Sequence, residues 1–264
     1  MPGRVESVVV LTPSAGSPHL VRCIESVQAQ SYAAIDHLIV LDGPEAAAAA
    51  ATLRSRERLR VVELPYRTGA NGMNGYRISA AFAHLINADA VFFLDDDNWF
   101  DPEHVAGGVE ALNDFGADWV FSLRRLVRAD GSFLVDDDCD SLGMWRRDAA
   151  YRGPADHLAA AFIRFYGRHP YLADTSCVGL RTGVLARHAA KSLVPRTGDA
   201  VFTSALLAEC DGACTGARTV NYRLRVEAEA GAEHYFRTGN ASMAARYLNS
   251  LPWTVRQRCE RFAD

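Results

Sequence analysis

The stretch that most constrains this chain runs from Ala90 to Pro102, where five apolar residues, Ala90 to Leu94, lead straight into Asp95, Asp96 and Asp97. Five residues are too few for a helix of useful length. The run therefore reads as a buried strand whose acids sit where it emerges from a sheet. Adjacent carboxylates repel one another, and a fold that gathers three of them at one strand end usually offers a cation in return. Mg²⁺ and Mn²⁺ favour such all-oxygen sites and commonly bring a phosphate with them. The same triplet also fits a solvated acidic turn ahead of a helix with Pro102 near its first turn.

The residues before the triplet alternate in pattern. Val5 to Leu11 carries a β-branched run that ends in the turn chemistry of Thr12 to Gly16, which predicts a buried strand. Leu20, Val21, Ile24 and Val27 recur at helical spacing, predicting a helix from about Pro18. His37 to Leu41 is a second strand closed by Asp42-Gly43-Pro44, and the alanine run Ala46 to Ala51, continuing to Arg58, is a strong helix former. Leu59 to Leu64 is a third strand, and a Gly- and Asn-rich loop, Arg67 to Gly75, precedes a helix over Tyr76 to Ile86. Strand and helix alternate four times by the Asp-tipped strand, which predicts a parallel, doubly wound sheet. Ligands of such sheets bind outside the carboxyl ends of the strands. Thr12-Pro13, Asp42 and Asp95 to Asp97 all lie at those ends and are expected to face one crevice.

Further along, the pattern predicts a helix over His104 to Phe115 and a strand over Asp118 to Leu123. A hairpin follows over Arg124 to Asp140, turning at Asp130-Gly131. A helix is expected over Asp156 to Phe165 and a partly extended segment over Tyr171 to Leu180. Thr197-Gly198-Asp199 is expected to cap a helix over Ala200 to Glu209, with a late strand over Thr219 to Val226.

The chain is long enough for one large α/β domain or two intimately packed ones, and a net charge of −4 gives no reason to expect nucleic-acid binding. Lys191 is the only lysine, so any phosphate clamp must use arginine or backbone amides. No stretch approaches the roughly 18 continuous apolar residues of a membrane span, and no signal-peptide pattern opens the sequence. The six cysteines (Cys23, Cys139, Cys177, Cys210, Cys214 and Cys259) include no CxxC pair, and free thiols in a cytoplasmic protein are the expectation.

In order and spacing these motifs resemble those of the family-2 glycosyltransferases. Cys23-Ile24-Glu25-Ser26-Val27-Gln28-Ala29-Gln30-Ser31-Tyr32 is similar to the family's helix after the first strand, and Ile39 to Gly43 to its second strand end. Phe93 to Asn98 with Pro102 is similar to its metal signature, and Gly198 to Phe202 to the helix start carrying its catalytic base. The matches span residues 5 to about 210. There are departures: Leu41 replaces an acid, and Thr12-Pro13-Ser14 lacks the usual Tyr-Asn. Gly198 stands where an acid often precedes the base.

The resemblance implies a GT-A, Rossmann-like α/β sandwich. Its central sheet is mostly parallel, with helices on both faces and a small second sheet on the acceptor side. Residues 1–123 would form the donor half, 124–230 the acceptor half of the same domain, and 231–264 a C-terminal helical segment or lid. The implied activity is inverting, metal-dependent transfer of a sugar from a nucleoside diphosphate, UDP or dTDP, to a hydroxyl acceptor. The implied setting is bacterial polysaccharide or glycoconjugate synthesis. Mn²⁺ or Mg²⁺ would be the cofactor and a saccharide or lipid-linked saccharide the acceptor, in the cytoplasm or peripherally at the inner face of a membrane. A sugar-nucleotide-binding protein without turnover and a nucleotidyltransferase are the alternatives.

The residue roles follow the same resemblance. Asp97 would ligate the metal, and Asp95 the metal or the ribose, with Asp96 beside them; Asp95 and Asp97, two apart at a strand tip, can point to one side. Asp42 would accept the imide N–H of a pyrimidine base, or else is an Asp-Gly turn residue. Thr12, Pro13 and Ser14 would present backbone to the nucleoside, or merely end a strand. Arg77 would reach the diphosphate or ribose, or else sit on the surface. Asp199 is the expected general base, although an acid at a helix start also fits a cap. His234 would supply a late metal ligand or diphosphate contact, or else be structural.

Overall fold

The structure is a computed structural model that describes residues 2–49, 58–137 and 173–226, together with Glu229 and Glu233. Among the described residues nine strands join one sheet, whose neighbours run from β3 (Leu59–Glu63) through β2 (Ile35–Leu41), β1 (Val8–Ser14), β4 (Ala90–Phe93), β8 (Val178–Arg181), β6 (Trp119–Val127) and β9 (Gly212–Arg223) to β5 (Trp99–Phe100), with β7 (Phe133–Asp137) paired to β6. The first four are β1 (Val8–Ser14), β2 (Ile35–Leu41), β3 (Leu59–Glu63) and β4 (Ala90–Phe93), all mutually parallel. The alternation expected from sequence is present here, through α1 (Leu20–Gln28), α2 (Pro44–Ala49) and α3 (Tyr76–Phe82). Residues 50–57, the remainder of the expected alanine-rich helix, lie outside the described residues.

Beyond β4 the sheet becomes mixed. β8 (Val178–Arg181) runs antiparallel between β4 and β6 (Trp119–Val127), and β9 (Gly212–Arg223) lies parallel to β6. The two-residue strand β5 (Trp99–Phe100) closes the far edge against β9. The hairpin of β6 with β7 (Phe133–Asp137) turns at Asp130-Gly131 as expected, with Gly131 at φ 86°. Among the described residues the short β5 and β7 are hydrogen-bonded into the main sheet. β6 spans residues 119–127 and carries that sheet straight across the expected division at 123/124.

Side-chain parity sorts the helices. On one face Leu11, Val91 and Phe93 pack with Ile78 and Phe82 of α3, Val184 and Leu185 of α5 (Thr182–His188), and Phe202 and Leu206 of α6 (Gly198–Glu209). On the other, Val8, Val10, Phe92 and Leu94 meet Cys23 and Val27 of α1 and Val105, Val109 and Leu112 of α4 (His104–Asp114). Successive strand residues point to opposite faces, so one apolar run feeds two cores. The Phe92 ring fills the space between α4 and β8. A Cβ on Gly108 would lie 2.5 Å from it, so that helix approaches the sheet only because the position is glycine.

α5 was not expected from sequence, and β9 begins at Gly212, seven residues before the late strand expected at Thr219. The expected helix over Asp156 to Phe165 falls outside the described residues.

Candidate active site

The unequal strand lengths make the cleft. β1 pairs with β4 only up to Leu11↔Phe93, whereas its pairing with β2 continues to Ser14↔Leu41. Pro13, which has no N–H to give, therefore sits where the β4 side of the ladder has ended. Above the end of β4 a notch is left, and the turn Asp95 to Asp97 occupies it, with Leu94 N bonded to Leu11 O at 3.1 Å. The resulting cleft of about 500 Å³ is lined by Pro13, Ser14, Asp42, Arg67, the three acids and Arg223 to Arg225.

Asp42 is buried and closely held. One of its oxygens accepts from the Thr68 N–H (2.6 Å) and the Thr68 hydroxyl (2.8 Å), and the other from the Gly69 N–H (2.8 Å). It thus fixes the loop leading to α3 while still facing the cleft. Ser14 donates its hydroxyl to Asp96 at 2.6 Å, and the Ser17 N–H adds a second contact at 3.3 Å, tying the middle acid to the β1 loop. Among the described residues Asp97 and Asp95 have no such set of neutralising partners, although Arg225 opposes the charge of Asp97. Burial, then Asp96 and Asp174, push Asp97 up to about 6. Burial, then Asp174, Asp97, Asp96 and Asp199, hold Asp95 well above the usual carboxylate range. Desolvation and like charge act together here, and a cation or a proton relieves both.

Asp199 lies in the first turn of α6. Its carboxylate accepts from the Ala200 N–H at 2.8 Å, and it lines a recess of about 140 Å³ with Asp95, Asp174, Tyr76 and Tyr222. The recess and the cleft share Pro13, Asn74, Gly75, Asp95 and Tyr222, so they are one continuous space. Thr197 makes no side-chain cap to this helix. Gly198 has a steric reason: a Cβ there would lie 2.1 Å from the Ser192 carbonyl oxygen and 2.6 Å from the Tyr76 ring. The departure noted in the sequence is therefore where α3 and α6 touch.

Several expected residues are placed elsewhere. Thr12 is fully buried inside β1, its hydroxyl 2.9 Å from His37 Nε2, and it does not line the cleft. The strand was expected to end at Leu11; pairing with β2 carries it three residues further and turns Thr12 into the core. Arg77 is exposed and donates to Thr68 O at 2.8 Å, bracing the Asp42 loop from outside the cleft lining. His234 lies outside the described residues.

Arg67, Arg223 and Arg225 line the cleft instead, and sequence reasoning singled out none of them. A single arginine in a loop or at a strand end gives no periodic signal. Asp174 and Tyr222 were missed for the same reason: they reach the site through β8 and β9, whose partners are remote in sequence. Trp99 carries the Arg22 guanidinium 3.4 Å over its ring centroid, a cation–π contact that covers that face of the indole. Among the described residues no group of three or more His, Cys, Asp or Glu is set to hold a metal by itself.

Comparison with known proteins places this arrangement. The sequence matches glycosyl transferase family 2 over residues 7–171, more than half of the chain, and the protein belongs to that family. It is accordingly a glycosyltransferase, and the mixed sheet with its helices is the GT-A fold. No curated protein sequence matches the chain. Among solved structures, S. aureus TarS residues 1–349 is similar at a TM-score of 0.54 and 12% identity, covering 97% of this chain and 83% of that one. The same TarS fragment in complex with UDP-GlcNAc gives 0.56 and 14%, covering 97% and 71%. Its complex with UDP gives 0.54 and 12%, covering 94% and 76%.

Proposed function

We propose that the protein transfers a sugar, with inversion, from a uridine- or thymidine-diphosphate sugar to a hydroxyl of a saccharide or lipid-linked saccharide, using Mn²⁺ or Mg²⁺. The observation that carries this is the placing of Asp42, the Asp95 to Asp97 turn and Asp199 around one continuous space. The binding of UDP and UDP-GlcNAc by the similar TarS fragment supports a uridine donor.

The acids fit a divalent ion. Asp95 and Asp97 offer hard oxygen ligands whose mutual repulsion a cation would relieve. Two carboxylates with no third ligand set beside them among the described residues suit an ion that completes its shell with water and substrate phosphates, as Mg²⁺ and Mn²⁺ do. When bound, such an ion supplies Lewis-acid neutralisation of the diphosphate. Asp42 and the loop it holds form the nucleoside end, and Arg225, which opposes the charge of Asp97, faces the phosphates. Asp199 removes the proton of the acceptor hydroxyl as its oxygen bonds to the anomeric carbon. The bond from that carbon to the diphosphate oxygen breaks on the opposite side, and the nucleoside diphosphate leaves with the electron pair.

Among the described residues no helix is long and apolar enough to cross a membrane. The nucleotidyltransferase alternative falls with the family assignment. A protein that binds sugar nucleotides without turnover is separated from an enzyme by Asp199→Asn. That substitution should leave UDP-sugar affinity within about twofold while lowering transfer at least ~10²-fold. Retained turnover in the variant would place the base elsewhere, and no turnover in the unmutated protein would favour the binding module.

A further inference from the structure

Beyond Asp95 the cleft continues into the recess of about 140 Å³, whose polar lining is carboxylate, hydroxyl and amide. Asp95, Asp174 and Asp199 contribute three acids, and none of the described residues that line it is Arg, Lys or His. Asp174 is 9% exposed, and its position is closely fixed. One oxygen accepts from the Ser176 N–H at 2.9 Å and the other from Arg124 Nη1 at 2.8 Å. Arg124 is itself buried, and its Nε donates to the fully buried Asp137 at 2.7 Å. The same guanidinium lies 4.3 Å from the ring centroid of Tyr222, another wall of the recess.

One buried guanidinium thus holds two buried carboxylates. Displacing Asp174 would cost a charge-assisted hydrogen bond in a medium of low dielectric, so the group fixes the direction in which Asp174 faces. Each Asp174 oxygen takes one strong bond and retains room for a second. A hydroxyl can supply that bond. An anionic group entering the recess meets like charge from several sides.

The geometry points to Asp174 as a specificity-determining residue for the transferred sugar: positioned by Arg124, it accepts a hydrogen bond from a hydroxyl of a neutral sugar and disfavours sugars bearing a carboxylate. This rests on the sugar-nucleotide reading above and narrows it to the class of neutral hexoses.

Calorimetry on the full chain, with manganese present throughout, tests it. The ligands are UDP alone, three neutral sugar nucleotides (UDP-glucose, UDP-galactose and UDP-N-acetylglucosamine), and UDP-glucuronate and UDP-galacturonate. The best neutral ligand should bind at least about tenfold tighter than either uronate. Asp174→Asn, nearly isosteric, should shrink that ratio towards one. Arg124→Lys, which keeps the cation, should retain more of the ratio than Arg124→Met. Should Arg124→Met fail to fold, the Asp174→Asn ratio and the unmutated panel decide alone. If UDP binds and the uronates bind as tightly as the neutral sugars, the assignment is overturned while the sugar-nucleotide reading stands. If UDP does not bind, that reading fails and takes the assignment with it.

Discussion

Asp42 and Asp97 stand in comparable places, each shortly past the end of a parallel strand, yet their surroundings are opposite. Asp42 follows β2 directly and receives three hydrogen bonds from Thr68 and Gly69, so its charge is answered within the chain. Asp97 follows β4 by a short turn and is surrounded by Asp96 and Asp174, with Arg225 opposing them from the cleft rim. One carboxylate organises a loop. Among the described residues the other carboxylate is opposed only in part, by Arg225, and that separates the scaffold end of the cleft from its chemical end.

The largest effect should come from the second kind of acid. Asp97→Ala should weaken Mn²⁺-dependent binding of UDP at least about 100-fold, roughly 2.7 kcal/mol, with little loss of folding stability, because removing one of several repelling acids relieves strain. Calorimetry with and without manganese reads the first quantity and urea denaturation the second. Unchanged affinity would mean that the acidic turn is not where the metal and diphosphate bind.

Asp42→Ala should give the reverse. It leaves the Thr68 and Gly69 N–H groups without their acceptor and should destabilise the fold by about 1–3 kcal/mol. Uridine affinity should fall less than for Asp97→Ala, through loosening of the loop. A variant of full stability that loses all uridine binding would make Asp42 a direct base contact and erase the contrast between the two acids.

How much of this could be read in the sequence follows from how local each feature is. β1 to β4 and their helices were legible because each strand is a short apolar run bounded by turn residues, α1 buries residues three and four apart (Leu20, Cys23, Ile24 and Val27), and α2 opens a run of alanines. The acidic turn was legible for the same reason. β5 is two residues long and exists only because Trp99 pairs with Asn221, and β9 starts early because Gly212 pairs with Trp119. Neither pairing leaves a trace in local periodicity. Thr12 was misplaced by a boundary error of three residues, since polar side chains at a strand end look like loop until a longer neighbouring strand pairs with them. Asp174, one acid among 32 acidic residues, became conspicuous only when Arg124 and Asp95 were placed beside it in space.

The smallest effect separates two arginines that sequence alone ranks the wrong way round. Arg77 follows the glycine-rich loop, where a phosphate contact was expected, but its guanidinium is exposed and donates to the Thr68 carbonyl. Arg225, two residues past the end of β9, lines the cleft and opposes the charge of Asp97. Arg77→Ala removes one exposed hydrogen bond and should change stability by no more than about 0.5–1 kcal/mol and UDP affinity by less than about threefold. Arg225→Ala, measured in the same manganese buffer, should lower UDP affinity about tenfold, the size expected for one charge-assisted contact to phosphate. The salt dependence should differ as well: an arginine that meets the diphosphate in a partly desolvated cleft makes affinity fall with ionic strength, whereas one that braces a loop from outside does not. If Arg77→Ala proves the more damaging to affinity, the loop it braces must swing inward when the nucleotide binds, and Asp42, which holds the same loop, would then belong to the chemical end of the cleft rather than to its scaffold.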